Sequence, residues 1–128
     1  NQANFDTILE GMRGVVESPE GTAHYYIGRD KSYSMAGKTG TAQVVNIAQG
    51  ARYDASKLTE FQKDHALFVA YAPVEEPKIA IAVIVENGGG GSSVAAPIAR
   101  QIFDYYLAAE TNEESASLAR VTQPDSGL

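Results

Sequence analysis

Two short runs, Ala66–Ala72 and Lys78–Val85, constrain this chain more than any other feature. Apart from Lys78 they hold only aliphatic and aromatic residues, and the connection Pro73-Val-Glu-Glu-Pro77 separates them. Runs this short, closed by prolines and rich in β-branched residues, read as strands rather than helices. Side chains alternate across a strand, so a run apolar at successive positions is apolar on both faces. The sheet is therefore expected to be covered on both sides. Ala70, Ala72, Ala80 and Ala82 would offer shallow patches for a helix to lie against. Residues 93–107 supply one, with Ala95, Ile98, Ala99, Ile102, Phe103 and Tyr106 in a stripe at helical spacing. A second amphipathic helix is expected over residues 4–16, with Asn4 as its cap, Phe5, Ile8, Leu9, Met12 and Val16 on one face, and Pro19 beyond its end.

A third strand reads through Tyr33–Val45, and a polar connection follows it from about Asn46 to Asp64. The position before a long polar loop suggests a sheet edge. In that connection Leu58 and Phe61 are expected to anchor a short helix. The strand carries Lys38-Thr39-Gly40-Thr41, a cation, two hydroxyls and a glycine at strand spacing. Alternation sends Thr39 and Thr41 to one side and Lys38 to the other. Gly40 has no side chain, so another backbone could approach there. An edge also presents unpaired N–H and C=O groups to an extended peptide. Together these features point to a site for an extended peptide with an anionic end.

Lys38-Thr39-Gly40-Thr41-Ala42-Gln43 resembles the third active-site motif of the penicillin-binding proteins and serine β-lactamases. Glu20-Gly21-Thr22-Ala23, Asp64-His65-Ala66 and Glu86-Asn87-Gly88-Gly89-Gly90 follow in the same order. Over roughly residues 4–107 the chain is similar to the C-terminal end of a class B penicillin-binding transpeptidase, and most similar to the elongation-specific enzymes of Gram-negative rods. The resemblance implies an α+β fold, an antiparallel sheet covered by helices. It implies that Lys38 shapes the site's potential and assists proton transfer, and that the Thr41 N–H is one oxyanion donor. Thr39 and Thr41 would bind the carboxylate of a stem peptide ending in D-Ala-D-Ala, with Gly40 giving clearance. It further implies β-lactam antibiotics as inhibitors, a SEDS-type membrane glycosyltransferase as partner, no cofactor, and a periplasmic location with an inner-membrane anchor upstream.

The departures are as informative. The family's nucleophile sits in Ser-x-x-Lys, and a second motif is Ser-x-Asn. None of the serines, at positions 18, 32, 34, 56, 92, 93, 115, 117 and 126, is followed by Lys at the third place or Asn at the second. The chain also begins at Asn1 without a methionine. One piece of a larger enzyme is therefore expected, its partner segment carrying the two absent motifs. The domain would occupy residues 1–109, and the polar stretch 110–128 is expected to be disordered. The alternatives on the same fold are a β-lactamase-like hydrolase or sensor, or a non-catalytic binding fragment.

Other classes are weaker. Gly37-Lys38-Thr39 copies the end of a phosphate-binding loop, but position 32 is serine where that loop needs glycine, and a strand follows the lysine. A net charge of −6 over 128 residues supplies no basic face for nucleic acid. There is no cysteine, and His24 and His65 lack metal-ligand spacing, so no metal site is expected. Glycines 88–91 precede a helix, but no cation follows before Arg100, so they read as a strand-to-helix turn.

With no motif serine, the isolated chain should form no covalent adduct with a labelled penicillin. A stoichiometric adduct by intact-mass spectrometry would overturn both the motif reading and the fragment reading.

Overall fold

The computed structural model describes residues 1–45, 52 and 54–121. Helix α1 spans Gln2–Glu17, followed by a wide π-type turn over His24–Gly28. Strands β1 (Ala36–Ala42), β2 (His65–Ala72) and β3 (Ile79–Val85) come next, and helix α2 (Ala96–Val121) closes the described chain. The strands form one antiparallel sheet in the order β1-β2-β3, so the lysine-bearing strand is an edge, as its sequence suggests. The whole is an α+β fold.

Both helices lie on one face of the sheet. Ala66, Phe68, Ala70 and Ala72 alternate along β2 and are all buried, packed in one cluster with Val16 of α1 and Ala99 and Phe103 of α2. The opposite face is open among the described residues: Val69 is 45% and Ile84 66% exposed. Of the cover expected on both sides, the described residues supply one, and apolar surface on the other face stays uncovered. Ala70 and Ala72 receive a helix as expected, but Ala80 and Ala82 pair with Tyr71 and Val69 on the open face and are exposed. β3 is the second edge rather than a central strand.

The helix boundaries shift for local reasons. Asn1, not Asn4, caps α1, its side chain accepting from the Ala3 N–H at 3.0 Å, because Gln2 and Ala3 propagate the helix well. Val16 of the expected stripe is buried, whereas Phe5 and Ile8 are exposed. A turn over Gly91–Ala95 precedes α2, which places Pro97 in the first helical turn, where its missing N–H costs nothing. Half the predicted α2 stripe, Ile98, Ile102 and Tyr106, stays partly exposed because the sheet beneath is only three strands wide.

Helix α2 continues past residue 110 to Val121, into the polar stretch expected to be disordered; residues 122–128 lie outside the described residues. No glycine or proline interrupts residues 98–121, and Glu, Ala and Leu favour helix. Lys78 holds Glu110 at 3.3 Å, which raises the Lys78 pKa, and the Thr111 hydroxyl donates to the Leu107 carbonyl. The first part of the 46–64 connection lies outside the described residues. The rest contains 3-10 turns at Ala55–Lys57 and Glu60–Gln62, and Phe61 anchors nothing, being 82% exposed.

The segment leading into β1 is held by charge. Arg100 of α2 donates to the carbonyls of Ile27 (2.9 Å), Arg29 (2.8 Å) and Asp30 (2.7 Å) while its Nε pairs with Asp104. Glu17 at the end of α1 accepts from the Met35 N–H at 2.8 Å and from Lys31 at 2.5 Å. Tyr33 donates to Asp104 at 2.7 Å.

Arg100→Ala should lower stability by about 3 kcal/mol in urea unfolding, because bonds from a charged donor contribute about 1.5–3 kcal/mol each and the carbonyls lose their partner. Arg100→Lys should recover only part of it, since an ammonium cannot span three carbonyls as a planar fork does. Burial, reinforced by the Asp104 carboxylate, raises the Tyr33 phenol well above its usual range. The folded state keeps this proton where the unfolded chain, titrating near about pH 10, releases it. The contribution is complete below that pH and is lost as pH rises beyond it. Tyr33→Phe should flatten the alkaline limb of the stability curve; an unchanged slope would assign it to other groups.

Candidate active site

Strand β1 leaves the core as it runs. Ala36 and Gly37 are buried, Thr39 and Gly40 half-buried, and Lys38, Thr41 and Ala42 exposed. The register pairs Lys38 with Val69, Thr39 with Phe68, Gly40 with Leu67 and Thr41 with Ala66. Cross-strand partners share a face, so Lys38 stands on the open side and the two threonines on the helix side. The Lys38 ammonium donates to the Thr39 carbonyl at 2.7 Å. The Thr39 hydroxyl lies 3.4 Å from that of Thr22.

Gly40 is approached closely by another backbone, as the sequence suggests, but the approach is internal. A Cβ on Gly91, at the start of the turn before α2, would fall 2.5 Å from the Gly40 oxygen and 2.4 Å from the Leu67 oxygen. Gly91 therefore seats the turn directly on the β1–β2 pair. A Cβ on Gly40 itself would meet only Leu67, its Cβ at 3.2 Å and its carbonyl oxygen at an ordinary 4.0 Å.

Two of the three other matching motifs close the same end of the sheet. Asp64, 8% exposed, accepts from the Val44 N–H at 3.3 Å, and its carbonyl accepts from Gly89 at 2.8 Å. The Asn87 N–H donates to His65 Nδ1 at 2.9 Å, and the Asn87 amide donates to the carbonyls of Phe61 and Lys63. Asn87 has a positive φ of 53°, a backbone shape asparagine tolerates better than most residues. His24 Nδ1 contacts the Val16 carbonyl at 2.9 Å, so both histidines are engaged with the backbone.

A cavity of about 290 Å³ lies elsewhere, between α2 and the β2–β3 connection, lined by Tyr33, Pro73, Lys78 and Asp104 among others. No residue of β1 lines it. What surrounds Lys38 is an open strand edge, with the cation and the hydroxyls projecting from opposite faces.

Comparison with known proteins decides which family this edge belongs to. The penicillin-binding protein transpeptidase domain matches residues 1–104. The chain belongs to that family. It is 45% identical over 105 residues to the peptidoglycan D,D-transpeptidase MrdA of Haemophilus influenzae, covering 82% of this chain and 16% of that protein. To MrdA of Acinetobacter baumannii it is 52% identical over 100 residues, 78% of this chain and 14% of that one. Among solved structures, Pseudomonas aeruginosa PBP2 in complex with WCK 5153 superposes with a TM-score of 0.67 at 43% identity, over 84% of this chain and 20% of that one. PBP2 of Helicobacter pylori, in complex with MreC, gives 0.64 at 29% identity, over 83% and 18%. The chain thus spans about a sixth of the curated relatives it matches.

Within that family frame, sequence reasoning finds the Lys38 strand and the motif residues Asp64, His65 and Asn87, but not what they touch. It also misses two groups. Arg100 is read only as a distant cation after the glycine run. Thr22 is read as a motif letter, with nothing to pair it with Thr39.

Gly91→Ala should destabilise the fold by about 1–3 kcal/mol or more, because backbone oxygens on both strands must move. Gly40→Ala should cost markedly less, since only the Leu67 side chain has to yield. Equal shifts in thermal midpoint would refute this seating of the turn.

Proposed function

We propose that this chain is the C-terminal part of an elongation-specific peptidoglycan D,D-transpeptidase, and that it supplies the Lys-Thr-Gly-Thr wall of the active site. The observation that carries the reading is the exposed Lys38 on an edge strand, beside two threonines, in a chain of this family. In the proposed reaction, an upstream serine attacks the carbonyl carbon of the penultimate D-alanine and gives up its proton. The resulting oxyanion is held by two backbone N–H groups, one of them that of Thr41. The C–N bond breaks, D-alanine leaves as a protonated amine, and an ester to the serine remains. An amine of a neighbouring stem peptide attacks this ester and loses a proton, and the serine regains one. A β-lactam enters the same first step, its ring amide standing in for the scissile bond.

Lys38 provides a cation beside the proton path, and the hydroxyls of Thr39 and Thr41 hold the terminal carboxylate, which fixes the carbonyl that faces the serine. The second oxyanion donor and the serine itself belong to the upstream segment, so the chain alone is inactive. That segment would also cover the open sheet face. The complex of H. pylori PBP2 with MreC supports a place in an elongation assembly, where a SEDS-type glycosyltransferase would be the membrane partner. No helix among the described residues is long and apolar enough to cross a membrane. In the periplasmic enzyme proposed here, the inner-membrane anchor belongs to another part of the protein.

In the full-length protein, Lys38→Ala should slow acylation by a labelled penicillin at least tenfold with little change in thermal midpoint, since an exposed lysine adds little packing. Thr39→Val and Thr41→Val should weaken recognition of a β-lactam carboxylate by about tenfold or more, the scale of a charged hydrogen bond. The penalty should shrink for the methyl ester. Unchanged acylation in Lys38→Ala, or equal penalties for acid and ester, would remove these residues from the site.

A further inference from the structure

We propose that Thr22 is a positioning residue for ligand binding, orienting the Thr39 hydroxyl so that its proton points at the incoming carboxylate. The proposal rests on the reading of Thr39 as a carboxylate-binding group. The Thr22 and Thr39 hydroxyl oxygens are 3.4 Å apart, and among the described residues neither has another partner. Either oxygen can be the donor, and the choice matters. A hydroxyl has one proton and two lone pairs. If Thr39 gave its proton to Thr22, it would have none for an anion. If Thr22 donates, Thr39 keeps its proton and is polarised to give it more strongly. A carboxylate only accepts, so its arrival selects the second arrangement.

The position of Thr22 is built rather than incidental. Its neighbours on both sides are locked to α1. The Gly21 N–H donates to the Ser18 carbonyl at 2.8 Å, and a Cβ on Gly21 would fall 2.3 Å from the Gly14 oxygen. Ala23 is fully buried, and its N–H donates to the Val15 carbonyl at 3.0 Å. The His24 N–H then returns to the Gly21 carbonyl at 3.0 Å. Between these fixed points the Thr22 side chain remains exposed beside β1. A loop pinned this firmly delivers one hydroxyl to a defined place.

The test uses the full-length protein, with acylation by a penicillin and by its methyl ester as paired probes. Thr22→Val keeps the shape and removes the hydroxyl. It should reduce acylation by the acid about three- to tenfold, the scale of one neutral hydrogen bond, and leave the ester nearly unchanged. Thr22→Ser should restore the acid rate, which a merely structural loss of the methyl group would not. In a Thr39→Val background, Thr22→Val should add no further penalty. A penalty that persists there, or that falls equally on acid and ester, overturns the proposal. If Thr39→Val discriminates acid from ester but Thr22→Val is silent, only the role of Thr22 fails. If Thr39→Val itself does not discriminate, the carboxylate reading fails and takes this inference with it.

Discussion

The pleat of β2 is the constraint on which the other relations depend. It is the central strand, paired on both sides, and its alternate residues Ala66, Phe68, Ala70 and Ala72 all lie under the helices. With Phe68 turned inward, its partner Thr39 must face the helix side, and Lys38 opposite Val69 must face the open side. A slip of one residue would bring Phe68 into water and exchange the faces of the lysine and the hydroxyls. The chemistry of the edge is therefore fixed by the burial of an aromatic ring one strand away.

Register sets which way β1 faces, and charge sets where it begins. Glu17 fixes the Met35 N–H from the side of α1, and Arg100 grips the preceding carbonyls from the side of α2. Both helices are in turn tied to β2 through the same core cluster. At the far end Asp64 bonds Val44, and Gly91 seats against the Gly40 carbonyl. The edge strand is thus held at both ends and along its inner side, the rigidity that the proposed transpeptidation would require.

Much of this was legible in the residues. The three strands, the edge position of Lys38 and the sides taken by Lys38 and the threonines follow from period-two patterning and from the long polar connection. That two apolar faces have too few helices to cover them is also legible. Which face stays open is not, because a strand such as Ile79–Val85 carries the same apolar letters whether its partner layer comes from this chain or from elsewhere. The reach of α2 beyond residue 107 was not legible, because the polar, Glu-rich turns that follow carry no apolar stripe to trace. Thr22 and Arg100 were invisible for another reason: their partners are tertiary neighbours, and no local pattern announces a hydroxyl meeting a hydroxyl or a guanidinium meeting backbone carbonyls.

The grip of Arg100 on main-chain oxygens has a consequence for how this region can drift in sequence. A clamp that reads carbonyls ignores the side chains attached to them, so position 29 is free to vary without loosening it. Position 30 is narrower, because Asp30 has a φ of +52° and only residues at ease in that left-handed shape can replace it. Position 100 has almost no latitude: three carbonyls and a carboxylate call for a planar group with five donors, and arginine alone supplies one. Constraint thus gathers on a single side chain of the helix, and the loop it holds can diverge while the geometry of the strand beyond stays the same.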